Sequence, residues 1–208
     1  ISKPFDLDEL SLTVNRVHET SVMRRNVTTD LDQKRSQFGL DNIIGCSPQI
    51  MEVKSLVRKV AQGPSTTTLL LGESGTGKDL VARALHYEST RAAHPFMNIT
   101  CTALPESLLE SELFGYEAGA FTNATSRKKG LIELANRGSV FMDEIGDMAP
   151  TLQSKLLRIL EEKSFKRIGG VTDIHVDMRL IAATNRNLER MVSDQTFRED
   201  LYYRLNVV

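Results

Sequence analysis

Apolar positions along the chain keep two rhythms, one of helical spacing and one of short continuous runs. After Lys3-Pro4-Phe5, the residues Leu7, Leu10, Val14 and Val17 repeat at helical spacing and predict one amphipathic helix without a neighbouring partner. From Glu19 to residue 40 the chain is polar and charged, which reads as a linker, partly helical. A second organisation begins near Asp41. Ser47-Pro48 is a helix start, an N-cap residue followed by proline at the first helical position, and Ile50, Val53, Leu56, Val57 and Val60 mark the face expected to be buried. β-type runs follow at Thr66 to Leu71, Phe96 to Cys101, Ser139 to Asp143 and Val176 to Ala183. Helical segments lie between them, at about Asp79 to Tyr87 and at Thr151 to Glu162, where Leu152, Leu156, Ile159 and Leu160 share one side. Strands alternating with helices predict an α/β fold, a parallel sheet sandwiched by helices. The organisation expected is therefore 1–18, a linker over 19–40, and a core over 41–208.

Composition narrows the function. With 208 residues the chain can bury a core without covalent staples. Lys plus Arg count 26 against 27 for Asp plus Glu, a net charge of −1. That balance excludes a strong nonspecific nucleic-acid footprint, though not a local basic patch. Apolar runs are as short as Leu180-Ile181-Ala182-Ala183, far from a membrane span, so no membrane partner is expected. Cys46 and Cys101 are too few and too distant for a disulfide framework or a zinc site. His18, His86, His94 and His175 are scattered and read as structural or surface residues. A reducing cytoplasm is the expected compartment.

The strongest chemical signal is Gly72-Glu73-Ser74-Gly75-Thr76-Gly77-Lys78-Asp79, directly after an apolar strand and opening a helix. Glycines let the backbone turn so that several N–H groups converge, and the helix N-terminus adds partial positive charge. Lys78 can then reach β- and γ-phosphate oxygens. Asp79 stands where the general pattern has Ser or Thr, and its carboxylate either holds magnesium through a water or repels the phosphates. Val140-Phe141-Met142 reads as a buried strand ending in Asp143-Glu144. Asp143 is placed there to bind hydrated magnesium, and Glu144 to orient or deprotonate an attacking water. At the end of another strand, Asn185 either senses a γ-phosphate or begins a helix cap. Arg167, before Gly169-Gly170, is either a finger for a neighbouring subunit or a solvated surface residue. Between these motifs, the small residues around Phe121 leave two outcomes. The ring tucks into the core, the commoner result, or it is exposed for a partner.

Four stretches in order carry a resemblance: Gly72 to Asp79, Glu112 to Ala124, Phe141-Met142-Asp143-Glu144-Ile145-Gly146, and Phe197 to Val207. From about Asp41 to Val208 the chain resembles the bacterial enhancer-binding proteins, AAA-type ATPases that activate RNA polymerase carrying the sigma-54 factor. The resemblance implies a ring, usually a hexamer, with ATP and magnesium held between subunits. Gly72, Glu73, Ser74, Gly75, Thr76, Gly77, Lys78 and Asp79 would hold the phosphates, and Ile43-Ile44-Gly45 would lie beside the base. Asp143 would be the magnesium residue, Glu144 the water residue, Asn185 the first sensor and Arg167 an intersubunit finger. Gly119, Ala120, Phe121, Thr122, Asn123 and Ala124 match the loop that contacts sigma-54. Lys3-Pro4-Phe5 and its helix resemble the end of a two-component receiver domain. The resemblance also implies a helical lid and a DNA-binding helix-turn-helix after residue 208. The chain is therefore expected to be a truncated core that binds ATP weakly and turns it over slowly.

Three residues depart from the family pattern. Asn123 replaces the second glycine of the contact loop, Thr100 replaces an asparagine that restrains the catalytic glutamate, and Asp79 replaces a glutamate. The function expected is ATP-driven remodelling of the sigma-54 polymerase closed complex. The alternative is a nucleotide-binding scaffold that does not drive sigma-54, motivated by Asn123 and Thr100.

Overall fold

The computed structural model describes residues 31–63 and 67–208. The amphipathic helix expected near residues 7–17, His18 and the first part of the linker lie outside them. Residues 31–38 are helical (α1). Then come α2 (Pro48–Gln62), β1 (Thr68–Leu71), α3 (Lys78–Tyr87), β2 (Phe96–Thr100) and α4 (Glu106–Phe114). A short hairpin, β3 (Gly115–Tyr116) and β4 (Lys128–Lys129), leads into α5 (Leu131–Leu134), β5 (Ser139–Asp143) and α6 (Pro150–Glu162). The chain continues through β6 (Ser164–Phe165), β7 (Ile174–His175), β8 (Arg179–Thr184), α7 (Leu188–Ser193) and α8 (Glu199–Leu205).

The main sheet has the order β1-β8-β5-β2 with every neighbour parallel, as the alternation of strands and helices requires. Its pleat sorts the core into two layers. Val140, Met142, Leu180 and Ala182 face α4, α6 and α8, where Leu113, Leu156 and Leu205 pack on them. Phe141, Ile181 and Ala183 face the other way, onto Ala82 and Leu85 of α3 and Val57 of α2. Both faces are covered, so β8 is buried at all six positions.

Local chemistry explains where helices start. Ser47 Oγ accepts the Ile50 N–H at 3.3 Å, with Pro48 at the first helical position, as expected. The face expected to be buried on α2 needs correction. Val57 is buried, but Val53 and Leu56 are exposed, because α2 meets α3 along a narrow seam and turns those side chains into an open cavity. Residues 31–40 also do more than link. Leu40 is buried in the second core layer, and Arg35 Nε donates to the Tyr87 carbonyl at 3.1 Å. No helix among the described residues is long and apolar enough to cross a membrane.

Candidate functional site

The order of strands creates the site. β1 leads into α3 on one face of the sheet, whereas its neighbour β8 leads into α7 on the other. Their carboxyl-end loops therefore diverge and open a crevice, the usual ligand position in an open parallel sheet. Gly72 lies at this point, its N–H donating to the Thr184 carbonyl at 3.3 Å. Gly75 and Gly77 adopt φ of +79° and +91°, conformations that side chains disfavour, and a Cβ on either would meet nothing within 4 Å. The space above the loop is open, and α3 begins at Gly77 without a side-chain cap, leaving its first N–H groups for an anion. Lys78 Nζ donates to the Gly72 and Glu73 carbonyls, both at 2.9 Å, and folds the loop on itself. A cavity of about 580 Å³ runs from this loop along Ile43, Ile44 and Val53 of the preceding segment. Ile44 is 93 % exposed, an arrangement that leaves an apolar wall for a flat ring. Gly45 precedes α2, and a Cβ there would lie 3.1 Å from the Ile50 side chain.

Asp143 ends β5 and Glu144 follows it, at the carboxyl edge of the sheet beside the end of β8. Glu144 has φ 53° and ψ 48°, a left-handed conformation rare for this residue type, and its N–H donates to Asp143 Oδ1 at 3.0 Å. Its Oε2 is buried without a hydrogen-bond partner, which is the mark of an unfinished polar site. Gly146 lets this turn approach β8, since a Cβ there would lie 2.9 Å from Thr184 Oγ1. The acidic cluster is felt by Cys101, whose thiol is pushed up to about 12 by burial and then by Asp143, Asp147 and Glu144. The Asp143 carboxylate at the strand end is an oxygen donor of the kind that would hold a magnesium ion through its water.

Asn185 is exposed on the crevice, beside Gly72 and Glu73. It does not start the next helix. Asn187 does, accepting the Arg190 N–H at 2.9 Å. The Asp79 carboxylate is engaged within the chain. Its Oδ2 accepts Arg83 Nε at 2.7 Å and its Oδ1 accepts Asn98 Nδ2 at 3.1 Å, so the side chain is engaged sideways along α3.

The Phe121 loop is separate from the crevice and has its own foundations. Gly115 and Gly130 pinch its root, each where a Cβ would sit 2.3 Å from a facing carbonyl oxygen. At the tip, Gly119 N–H donates to the Ala124 carbonyl at 2.7 Å and Ala124 N–H to the Phe121 carbonyl at 2.9 Å. The ring of Phe121 stays 45 % exposed, resting edge-on against Tyr116 at 4.8 Å between centroids. The tucked ring that side-chain chemistry alone favours is therefore not adopted, and Phe121 packs on Tyr116 instead. Asn123 is not among the residues at positive φ, so replacing glycine there costs no backbone strain.

Arg167 sits under this loop and is not a solvated surface residue, since only 10 % of its side chain is exposed. Its Nη1 donates to Glu117 Oε1 at 2.5 Å, and its Nε and Nη2 both reach Glu133 Oε2, at 3.0 and 2.7 Å. Burial works against the guanidinium charge, but the two carboxylates outweigh it and raise its pKa. Ile168 exchanges backbone hydrogen bonds with Gly115 and Glu117, and Gly169 passes so close to Ala120 that a Cβ would lie 2.8 Å from its side chain. The segment 167–170 is thus a strap across the loop's base, a feature that the basic pair before a double glycine did not reveal in sequence. Nor did sequence reveal Glu117 and Glu133 as its anchors.

A model of the sigma-54 interaction domain family matches residues 43–208. Regulatory protein AtoC of Escherichia coli K12 is 51 % identical over 208 residues, covering 100 % of this chain and 45 % of that protein. Nitrogen fixation protein VnfA of Azotobacter vinelandii is 53 % identical over 188 residues, 88 % of this chain and 36 % of its own length. The chain thus spans less than half of either relative. A crystal structure of NtrX from Brucella abortus in complex with ATP superimposes with a TM-score of 0.75 at 36 % identity, over 100 % of this chain and 43 % of that one.

Proposed function

This chain belongs to the sigma-54 interaction domain family, and we propose that it is an ATPase module that binds ATP and magnesium in the β1–β8 crevice and uses hydrolysis to move the Phe121 loop against sigma-54 polymerase. What supports the reading is an open glycine loop after β1, with the strand-end Asp143 and the orphaned Glu144 carboxylate at the same carboxyl edge of the parallel sheet. The loop N–H groups and Lys78 hold the phosphates, with Ile43, Ile44 and Gly45 beside the base. Asp143 would hold magnesium through water, and the metal would supply neutralisation of charge on the phosphate oxygens. Glu144 accepts a proton from, or orients, the water that attacks the terminal phosphate, and Asn185 faces the same phosphate from β8. An NtrX bound to ATP supports the nucleotide assignment by similarity.

Transmission to the loop follows the chain. The turn after Glu144 leads into α6, thirteen residues and about 20 Å of rigid helix, and α6 ends just before the strap that carries Arg167. A change at Glu144 that shifts α6 displaces Arg167, and with it Glu117 at the root of the loop. Gly119 to Ala124 then form the sigma-54 contact, with Phe121 and Thr122 exposed at its tip. Function in the whole protein is that of a cytoplasmic, ring-forming transcriptional activator of the two-component type, hexameric as the family implies. Its DNA contact is made by another domain. Arg167 pairs with Glu117 and Glu133 within its own subunit, and the intersubunit-finger role that the family implies remains a proposal for the ring.

The test is co-elution of the full-length protein with sigma-54 in the presence and absence of an ATP transition-state mimic. A complex that forms with the mimic and is lost in Phe121→Ala, while Glu144→Gln binds ATP without turnover, is the expected result. Turnover that persists in Glu144→Gln would remove the water assignment. A mimic-bound protein that leaves sigma-54 free would favour the nucleotide-binding scaffold instead.

A further inference from the structure

We propose that the segment preceding the core sets the phosphate loop through a stacked arginine, Phe38 to Arg83 to Asp79, so that Phe38 and Arg83 are positioning residues for nucleotide binding. The inference rests on the nucleotide reading of the Gly72–Lys78 loop given above.

Arg83 lies on α3, one turn beyond Asp79, and such a pair is ordinarily a weak surface contact. Its surroundings here are different. The guanidinium carbon lies 4.7 Å from the ring centroid of Phe38 and 5.3 Å from that of Phe96, so the cation is flanked by two aromatic rings from two other segments. Only 26 % of the side chain remains exposed. The carboxylate that it holds has a second donor, Asn98 of β2. Asp79 is therefore fixed from both sides, immediately after Lys78 and in the first turn of α3, whose free N–H groups the loop presents to an anion.

Phe38 itself is fixed by the segment before the core. Its ring stacks on Tyr87 at 5.8 Å and 17°. Arg35 Nε donates to the Tyr87 carbonyl at 3.1 Å, and the Leu40 N–H donates to Glu88 Oε1 at 3.4 Å. Gly39 is required at this junction, because a Cβ would meet the Arg35 carbonyl oxygen at 2.5 Å. Displacing residues 31–38 thus strips one aromatic face from Arg83. A long, readily hydrated side chain is then free to leave Asp79, and the first turn of α3 loses its lateral anchor. Nucleotide affinity becomes a function of where the preceding segment lies, and by reciprocity bound nucleotide holds that segment in place.

The experiment is titration of the full-length protein and its variants with a fluorescent methylanthraniloyl ATP. Phe38→Ala should weaken binding about threefold, the loss of one partly exposed cation–π contact. Phe38→Tyr should restore it, and Phe38→Leu, which fills space without a ring, should not. In an Asp79→Asn background Phe38→Ala should add no further loss, because the relay is already open. Full affinity in Phe38→Leu, or a Phe38→Ala effect that simply adds to Asp79→Asn, would overturn the proposal and leave Phe38 as packing. Lys78→Ala separates the two levels of the argument. If it abolishes binding while the Phe38 variants match wild type, the relay alone is wrong. If wild type and Lys78→Ala both fail to bind, the nucleotide reading falls and the relay falls with it.

Discussion

Removing Arg167 tests whether the strap holds the Phe121 loop. In Arg167→Ala three hydrogen bonds disappear, and Glu133, only 15 % exposed, keeps as its cation only Lys129 Nζ at 3.5 Å. Glu117, at 36 % exposure, can recover water and contributes less. Breaking a buried pair by removing one partner costs about 3 to 5 kcal/mol, and discounting the half-wet Glu117 arm and the Lys129 contact that Glu133 keeps leaves an expected loss of about 2 kcal/mol. Arg167→Lys should recover part of this, since a point charge meets one carboxylate but cannot fork to both. Urea unfolding gives the stability, as a lowered midpoint at constant slope. Tryptic cleavage after the exposed Arg127 gives the local effect, and it should accelerate more than the global loss explains, because Arg127 lies in the segment that the strap secures. A loss within about 0.5 kcal/mol, the scale of an exposed pair, together with unchanged cleavage, would refute the strap.

Two further outcomes follow from buried titrating groups. His86 is fully buried against Ser139 Oγ at 2.9 Å, and burial lowers its pKa from 6.5 to about 4. The unfolded chain therefore binds the proton first, so this contribution is complete above pH 6.5 and falls by about 3 kcal/mol as pH drops to 4. Urea unfolding across that window should show the slope and His86→Gln should flatten it; the same slope in the variant would assign it elsewhere. Cys46 is exposed and Cys101 is buried beside carboxylates with its thiol near 12, so Ellman's reagent should label one thiol in the native protein and both after unfolding. Rapid labelling of two thiols under native conditions would contradict the packing of β2.

Motifs whose meaning is local were legible before the fold was known. The Gly72–Lys78 loop, the Ser47 cap and the strand ending at Asp143 each depend on a few consecutive residues and on a short period of apolar positions, and each is found where the sequence puts it. Asn185 was ambiguous for the same local reason. Two amides, Asn185 and Asn187, follow one strand, and only the observed Asn187 cap tells them apart.

What the tertiary structure alone decided are the partnerships between distant segments. Asp79 looks like a ligand residue in sequence, but Arg83 and Asn98 compete for it, and Asn98 is nineteen residues away. Arg167 resembles a finger, but it meets Glu117 and Glu133, fifty and thirty-four residues earlier. Val53 and Leu56 follow the helical period of a buried face, but their exposure depends on how much of α2 the sheet covers. A charged or apolar side chain declares what it can pair with or pack against. Which of several equivalent partners it meets is set by strand order and by the crossing of helices, and these come from the summed burial of the whole core.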